Sequence, residues 1–186
     1  CGDAAEILKY LPQGSANMCV TSPPYYGLRD YGIENQIGTE QTPQEYVERL
    51  IKVFDEVYRV LMDDGTLWLN IGDSYAGSGK GKGLLQEDNV KDRPIYDKES
   101  KVFSMPNRWE NIKPKDLIGI PWMLAFALRE RGWYLRSDII WHKINALPEA
   151  VKDRPAKCYE HIFLLTKSPR YYFDYEAIQE PIKAVT

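Results

Sequence analysis

Thr21-Ser22-Pro23-Pro24-Tyr25 follows directly on the apolar run Met18-Cys19-Val20. The run reads as a strand, and proline, which has no N–H to donate, ends strand pairing at Pro23 and Pro24. Each proline also holds the residue before it in extended backbone. The carbonyls of Ser22 and Pro23 are thereby left to point at a ligand, at the carboxyl end of a strand, where open α/β sheets bind their ligands. The chemistry that suits these groups is activation of a planar amine. The exocyclic nitrogen of a nucleobase has its lone pair drawn into the ring, so making it a nucleophile requires acceptors for its N–H groups and no competing donors. Ser22 Oγ and the Pro23 carbonyl fit that task, and Tyr25 offers a ring on which an extruded base can stack, an interaction worth about 1–3 kcal/mol. An isolated Ser-Pro-Pro is as often a surface turn.

The elements that must position this segment follow from local patterning. Ala4 to Leu11 reads as a short helix after Gly2-Asp3, and Asn17 to Thr21 as a buried strand. Thr42-Pro43-Gln44-Glu45 has the form of a helix start, with Thr42 as N-cap, Pro43 at the first position and Glu45 closing a capping box. Val47, Leu50, Ile51, Phe54, Val57, Tyr58 and Leu61 continue it at helical spacing. Asp63-Asp64-Gly65 is predicted to end that helix and Thr66 to Ile71 to form the next strand, completing a strand–helix–strand unit of a parallel sheet. Further on, Asp116 to Arg131 reads as a helix. Trp133 to His142, His161 to Lys167 and Arg170 to Asp174 read as strands. Residues 77–115 read as an irregular insertion, with nine Lys or Arg against six Asp or Glu. A long irregular insertion in a compact domain is usually functional or disordered. Its Gly77-Ser78-Gly79-Lys80-Gly81-Lys82-Gly83 run fits no phosphate-binding G-x-x-x-x-G-K-[ST] window.

Composition bounds the function. A chain of 186 residues with 44% apolar and 12% aromatic content suits one globular domain, here 1–186. With 24 basic against 27 acidic residues the net charge is −3. That excludes a generally basic nucleic-acid-binding surface and leaves a local strip such as 77–115 for phosphate contacts. Cys1, Cys19 and Cys158 lack paired or metal-type spacing, and a reduced cytoplasmic protein is expected. His142 and His161 stand apart from any Cys or carboxylate set, so no metal is expected. No run approaches the roughly 18 apolar residues of a membrane span.

Taken in order, CGDAAEIL, TSPPYYGLRDYG, GTLWLNIGDSY, PWMLAFALRERGWYLRSDIIWHK and DRPAKCYEHIFLLTKSPRYYFD resemble the beta-class amino DNA methyltransferases of restriction-modification systems and phages. The blocks cover nearly the whole chain. The resemblance implies a Rossmann-like, mostly parallel methyltransferase sheet with one antiparallel strand, S-adenosylmethionine as methyl donor and double-stranded DNA as substrate. It also implies that Ser22, Pro23, Pro24 and Tyr25 form the catalytic motif. The Ser form of that motif is usual for N4-cytosine and the Asp form for N6-adenine. N4-cytosine methylation after base flipping is therefore the first expectation and N6-adenine the second; a catalytically incomplete DNA-binding remnant is the alternative of another class. No cysteine stands in a Pro-Cys dipeptide, which disfavours a C5-cytosine mechanism.

Cofactor contacts are expected from Asp3, Ala4, Thr21, Ser22 and Asp73, and DNA contacts from Arg29, Lys80, Lys82, Arg93, Trp141 and Lys143. Competing structural readings stand beside several of these. Asp3 equally suits a helix N-cap, Asp73 a turn and Trp141 the core; Arg154 with Glu160 resembles a further block of the family and equally suits a structural ion pair. The family's FxGxG cofactor motif and the acidic residue after it are absent from residues 26–186. The catalytic domain is accordingly expected to be incomplete here, its cofactor segment lying in the rest of a longer enzyme or on a second chain.

Overall fold

The computed structural model describes residues 2–77 and 111–180. Helix α1 (Ala4–Leu8) precedes strand β1 (Ala16–Thr21); helix α2 (Pro43–Val60) and strand β2 (Leu61–Ile71) follow. Helix α3 (Ile120–Glu130), strands β3 (Tyr134–His142) and β4 (Tyr159–Thr166), and a 3-10 turn at Glu176–Ile178 complete the order. The four strands form one sheet in the order β1-β2-β4-β3. β1 and β2 pair parallel, while β4 pairs antiparallel with both β2 and β3. Three strands therefore run one way, and a single antiparallel strand is inserted between β2 and β3.

Helix α2 forms where its start signals place it. Thr42 accepts from the Glu45 amide at 3.2 Å, the Glu45 carboxylate accepts from the Thr42 amide at 3.1 Å, and Pro43 leads the first turn. Tyr46, Leu50, Phe54 and Val57 line one face and bury against Leu67, Leu69 and Ile71 of β2 and Phe163 and Leu165 of β4. Ile120, Leu124 and Leu128 of α3 join the same core. The two-residue period of β2 and β4 sets which side chains reach it.

Several boundaries differ from the sequence reading. α1 stops at Leu8, where i→i+3 bonds from Tyr10 to Ile7 and Leu11 to Leu8 tighten the chain before Pro12. Asp63-Asp64-Gly65 does not end the helix. α2 already gives way at Leu61, and the three residues lie within β2, where the register with β1 shifts between Ala16 and Met18. β1 is not buried on both faces: it lies at the sheet edge, with Met18 57% and Val20 69% exposed. An apolar run of this length reads alike whether one face or both are covered, and here only the face of Cys19, in register with Leu67, meets the core. α3 begins four residues later than predicted, because Asp116 to Gly119 approach it as a loop ending in a left-handed Gly119 at φ 85°. Residues 170–174 form no strand; the Tyr171 ring instead takes the Arg136 guanidinium at 5.7 Å. Most of the 77–115 insertion, with Lys80, Lys82 and Arg93, lies outside the described residues.

Candidate active site

Because β4 runs against its neighbours, its first residues lie beside the last residues of β2 and β3, on the same side of the sheet as the end of β1. One sheet edge thus collects Ser22 to Tyr25 after β1, Asn70 and Gly72 at the end of β2, Lys143 after β3 and Glu160 at the start of β4.

The Ser-Pro-Pro-Tyr segment is held from below. Tyr46, buried on α2, donates its hydroxyl to the Pro24 carbonyl at 2.8 Å. Ser74 Oγ donates to the Tyr26 carbonyl at 3.0 Å, and the buried Tyr26 ring packs on Tyr46 at 5.3 Å. Gly38, at φ 107°, passes so close that a Cβ there would lie 3.0 Å from the Tyr25 carbonyl oxygen. Gly72 is needed for a similar reason: a Cβ would meet Tyr25 Cε2 at 2.7 Å. The Tyr25 ring thus lies directly on the backbone at the end of β2. Among the described residues the Pro23 carbonyl accepts no hydrogen bond.

Polar contacts link all four strand ends. Ser22 Oγ donates to the Tyr25 hydroxyl at 3.3 Å, which donates to Glu160 Oε2 at 3.0 Å. Asn70 Nδ2 donates to the same oxygen at 3.2 Å, and Lys143 Nζ binds Glu160 Oε1. Burial pushes the Glu160 carboxyl up, but the hydrogen bonds from Lys143, Tyr25 and Asn70 outweigh it and hold the group below its ordinary value. Burial, with the Glu160 charge assisting, pushes the Tyr25 phenol up to about 12 despite the opposing Ser22 contact. Glu160 is therefore an anion and Tyr25 a protonated donor at neutral pH.

An apolar cavity of about 570 Å³ opens beside this segment, between α1, β1 and α2. Thr21, Ser22, Pro23 and Pro24 line one side, Gly2 and Ala4 another, and Phe54 is part of its wall.

Of the predicted cofactor residues, Ala4, Thr21 and Ser22 meet at this cavity. Asp3 caps α1, accepting from the Ala5 and Glu6 amides at 2.9 and 3.2 Å. Asp73 caps α3 from a distance in sequence. Its carboxylate accepts from Ser74 N at 2.9 Å and from Gly119 N and Ile120 N at 3.0 Å. Among the predicted DNA contacts, Arg29 is exposed on the loop after the motif and Trp141 is 56% exposed on β3. Lys143 turns its ammonium to Glu160. The expected Arg154–Glu160 pair does not form: Arg154 binds Glu149 at 2.5 Å and lies 3.9 Å over the Tyr75 ring. Sequence reasoning missed Glu160 as the hub of the site. The resemblance singled it out only together with Arg154; a further signal was a carboxylate inside an otherwise aromatic and apolar strand start, Tyr159-Glu160-His161-Ile162.

Three co-directional strands with one antiparallel strand inserted, helices on one face and Ser-Pro-Pro-Tyr at a strand end define a Rossmann-like α/β methyltransferase fold. The chain belongs to the N6/N4 DNA methylase family, whose model matches residues 16–186. It is 53% identical over 179 residues to the type II methyltransferase M.Cfr9I of Citrobacter freundii, covering 96% of this chain and 57% of that protein. It is 49% identical over 180 residues to M.SmaI of Serratia marcescens, covering 97% and 59%. The chain thus spans a little over half the length of these relatives. Among solved structures it superimposes on the PvuII DNA methyltransferase (cytosine-N4-specific) with TM-score 0.63 at 16% identity, covering 95% of this chain and 51% of that one. It superimposes on TTHA0409 of Thermus thermophilus, solved complexed with S-adenosyl-L-methionine, with TM-score 0.59 at 21% identity, covering 95% and 55%. No helix among the described residues is long and apolar enough to cross a membrane.

Proposed function

We propose that the full-length protein containing this chain methylates the exocyclic N4 of cytosine in double-stranded DNA, using S-adenosylmethionine. The observation that carries the reading is the pair of acceptors at the end of β1: Ser22 Oγ and a Pro23 carbonyl that accepts no hydrogen bond among the described residues, both lining a cavity with Ala4 and Thr21. The relatives' naming as type II methyltransferases supports the reaction class. The Ser form of the motif supports cytosine.

The residues present fit the cofactor. The cavity beside Ser22 is apolar, as the flat adenine ring requires, and Ser22 and Pro23 are among its lining residues. On this reading Ala4, Thr21 and Ser22 contact the cofactor, and its glycine-rich segment is supplied outside these 186 residues. When bound, the cofactor supplies a methyl group on a cationic sulfur, and the C–S electron pair stays with sulfur while the amine nitrogen's pair forms the new N–C bond. The chain's own work is positioning. The amine is inaccessible inside the duplex, so the base must flip out. Ser22 Oγ and the Pro23 carbonyl then accept its two N–H groups, drawing electron density onto nitrogen, and one of these protons is lost to water after transfer. Pro24 fixes the Pro23 carbonyl by restricting its backbone, and the Tyr25 ring walls the base site. DNA phosphates are assigned to Arg29, Lys80, Lys82 and Arg93, and Trp141 to the flipped base's surroundings.

Transfer of tritiated methyl from S-adenosylmethionine to unmethylated plasmid DNA tests the reading. Counts should appear in the DNA with the full-length protein and disappear on Ser22→Ala, with cofactor affinity largely kept. Equal transfer by Ser22→Ala would remove Ser22 from the mechanism.

A further inference from the structure

We propose that Glu160 is a positioning residue that sets the hydrogen-bond polarity of the base site, so that the site takes an amino base and rejects one presenting a carbonyl oxygen at the same place. The inference rests on the methyltransferase reading and names a residue and a substrate discrimination within it.

The argument is a count of protons. A carboxylate has only lone pairs. The two oxygens of Glu160 are filled by donors: Lys143 on Oε1, and on Oε2 Asn70 Nδ2 at 3.2 Å and the Tyr25 hydroxyl at 3.0 Å. Tyr25 has one proton and it is committed to Glu160, so toward Ser22 the phenol oxygen offers lone pairs alone. Ser22, 3.3 Å away, fills that acceptor with its own single proton. What Ser22 Oγ turns toward a ligand is then lone pairs. The neighbouring Pro23 carbonyl has nothing else to offer. A chain of two hydrogen bonds, from Ser22 to Tyr25 and from Tyr25 to Glu160, thus turns a hydroxyl, which by itself can donate or accept, into a fixed acceptor.

Two acceptors match the two N–H groups of an exocyclic amine. A 4-oxo base in the same pose would set its carbonyl oxygen against both of them, desolvated and unpaired, which is the arrangement that discriminates most strongly between polar analogues. Without Glu160 the Tyr25 hydroxyl is free to donate to Ser22, and the Ser22 proton is free to face the ligand. Lys143 and Asn70 hold the carboxylate in place from the other side, and Gly72 admits the Tyr25 ring to the position from which its hydroxyl reaches both partners.

Steady-state kinetics on the full-length protein, with S-adenosylmethionine and unmethylated DNA, test the network. Tyr25→Phe keeps the ring on Gly72 and removes only the hydroxyl; Glu160→Gln keeps the shape and removes the fixed polarity. Each should lower kcat about tenfold, equivalent to about 1.4 kcal/mol, with KM for cofactor and DNA within about twofold. The double variant should be no slower than either single one, because both break the same chain. Losses that multiply, or a Tyr25→Phe enzyme with wild-type kcat, would overturn the proposal while leaving the methyltransferase reading intact. If the wild-type protein transfers no methyl group to DNA, both fall. Should Glu160→Gln fail to fold, as judged by thermal melting, Tyr25→Phe alone decides through the same split between kcat and KM.

Discussion

At the residue scale, the proposed mechanism gives Tyr25 two jobs, and different substitutions separate them. Tyr25→Ala removes the ring that walls the base site and should abolish most turnover, since stacking on an extruded base is worth about 1–3 kcal/mol. Gly72→Ala leaves every polar group in place but puts a methyl group 2.7 Å from the Tyr25 ring, so the ring must shift. A loss of turnover approaching that of Tyr25→Ala is expected, measured by methyl transfer to DNA, with the melting temperature changed far less than the rate. Glu160 gives a pH signature. Its carboxyl sits below its ordinary value of 4.5 in the folded protein, so the stability it contributes is complete above that value and is lost as pH falls through the lower folded value. The melting-temperature gap between wild type and Glu160→Gln should therefore be widest above pH 4.5 and close on further acidification. A gap that is constant with pH would mean that the carboxylate's charge is not what the site uses. The placing of Ser22, Pro23 and Tyr25 at a strand end was legible from the sequence because residue type and order suffice. Glu160 was not, since its partners lie 135, 90 and 17 positions away and meet only through the sheet register.

At the element scale, what could be read in advance was what local signals determine. α2 carries its cap, its first-turn proline and its apolar stripe within one stretch, and all three form as the sequence indicates. Thr42→Ala should cost about 1 kcal/mol, read as a shift in the denaturant midpoint with unchanged slope. α3 is the contrary case. Its N-terminal amides are satisfied by Asp73, 46 and 47 positions earlier, and Gly119 offers no side chain to cap it. A reading from local pattern therefore began the helix at Asp116. Asp73→Ala leaves the Gly119 and Ile120 amides without their acceptor. It should destabilise the protein by about 1–2 kcal/mol, and thermal or denaturant melting is the check. The 170–174 strand failed for a related reason: Tyr171-Tyr172-Phe173 has the side chains of a strand, but among the described residues it meets β2 only through the Tyr172 amide, which donates to the Asp64 carbonyl at 3.3 Å, and no ladder forms.

At the scale of the whole molecule, the sheet with its one inserted antiparallel strand was available through the ordered motif blocks rather than through any single pattern. The free edge and open face of β1 were not, because pattern alone does not say which strand is outermost. The acidic balance of the chain also has to be reconciled with the proposed polyanionic substrate, and on that proposal phosphate binding falls to local basic groups. Replacing Lys80, Lys82 and Arg93 with Ala in the full-length protein should weaken DNA binding and flatten its salt dependence by up to about one unit of log–log slope per lost contact. An unchanged slope would move the DNA grip elsewhere. The central claim is the reaction itself, and mass spectrometry of nucleosides from DNA incubated with the full-length protein and S-adenosylmethionine tests it most directly. The account predicts N4-methylcytosine, absent from the Ser22→Ala control. N6-methyladenine would overturn the choice of base, and no methylated nucleoside at all, from protein that binds both cofactor and DNA, would contradict the account.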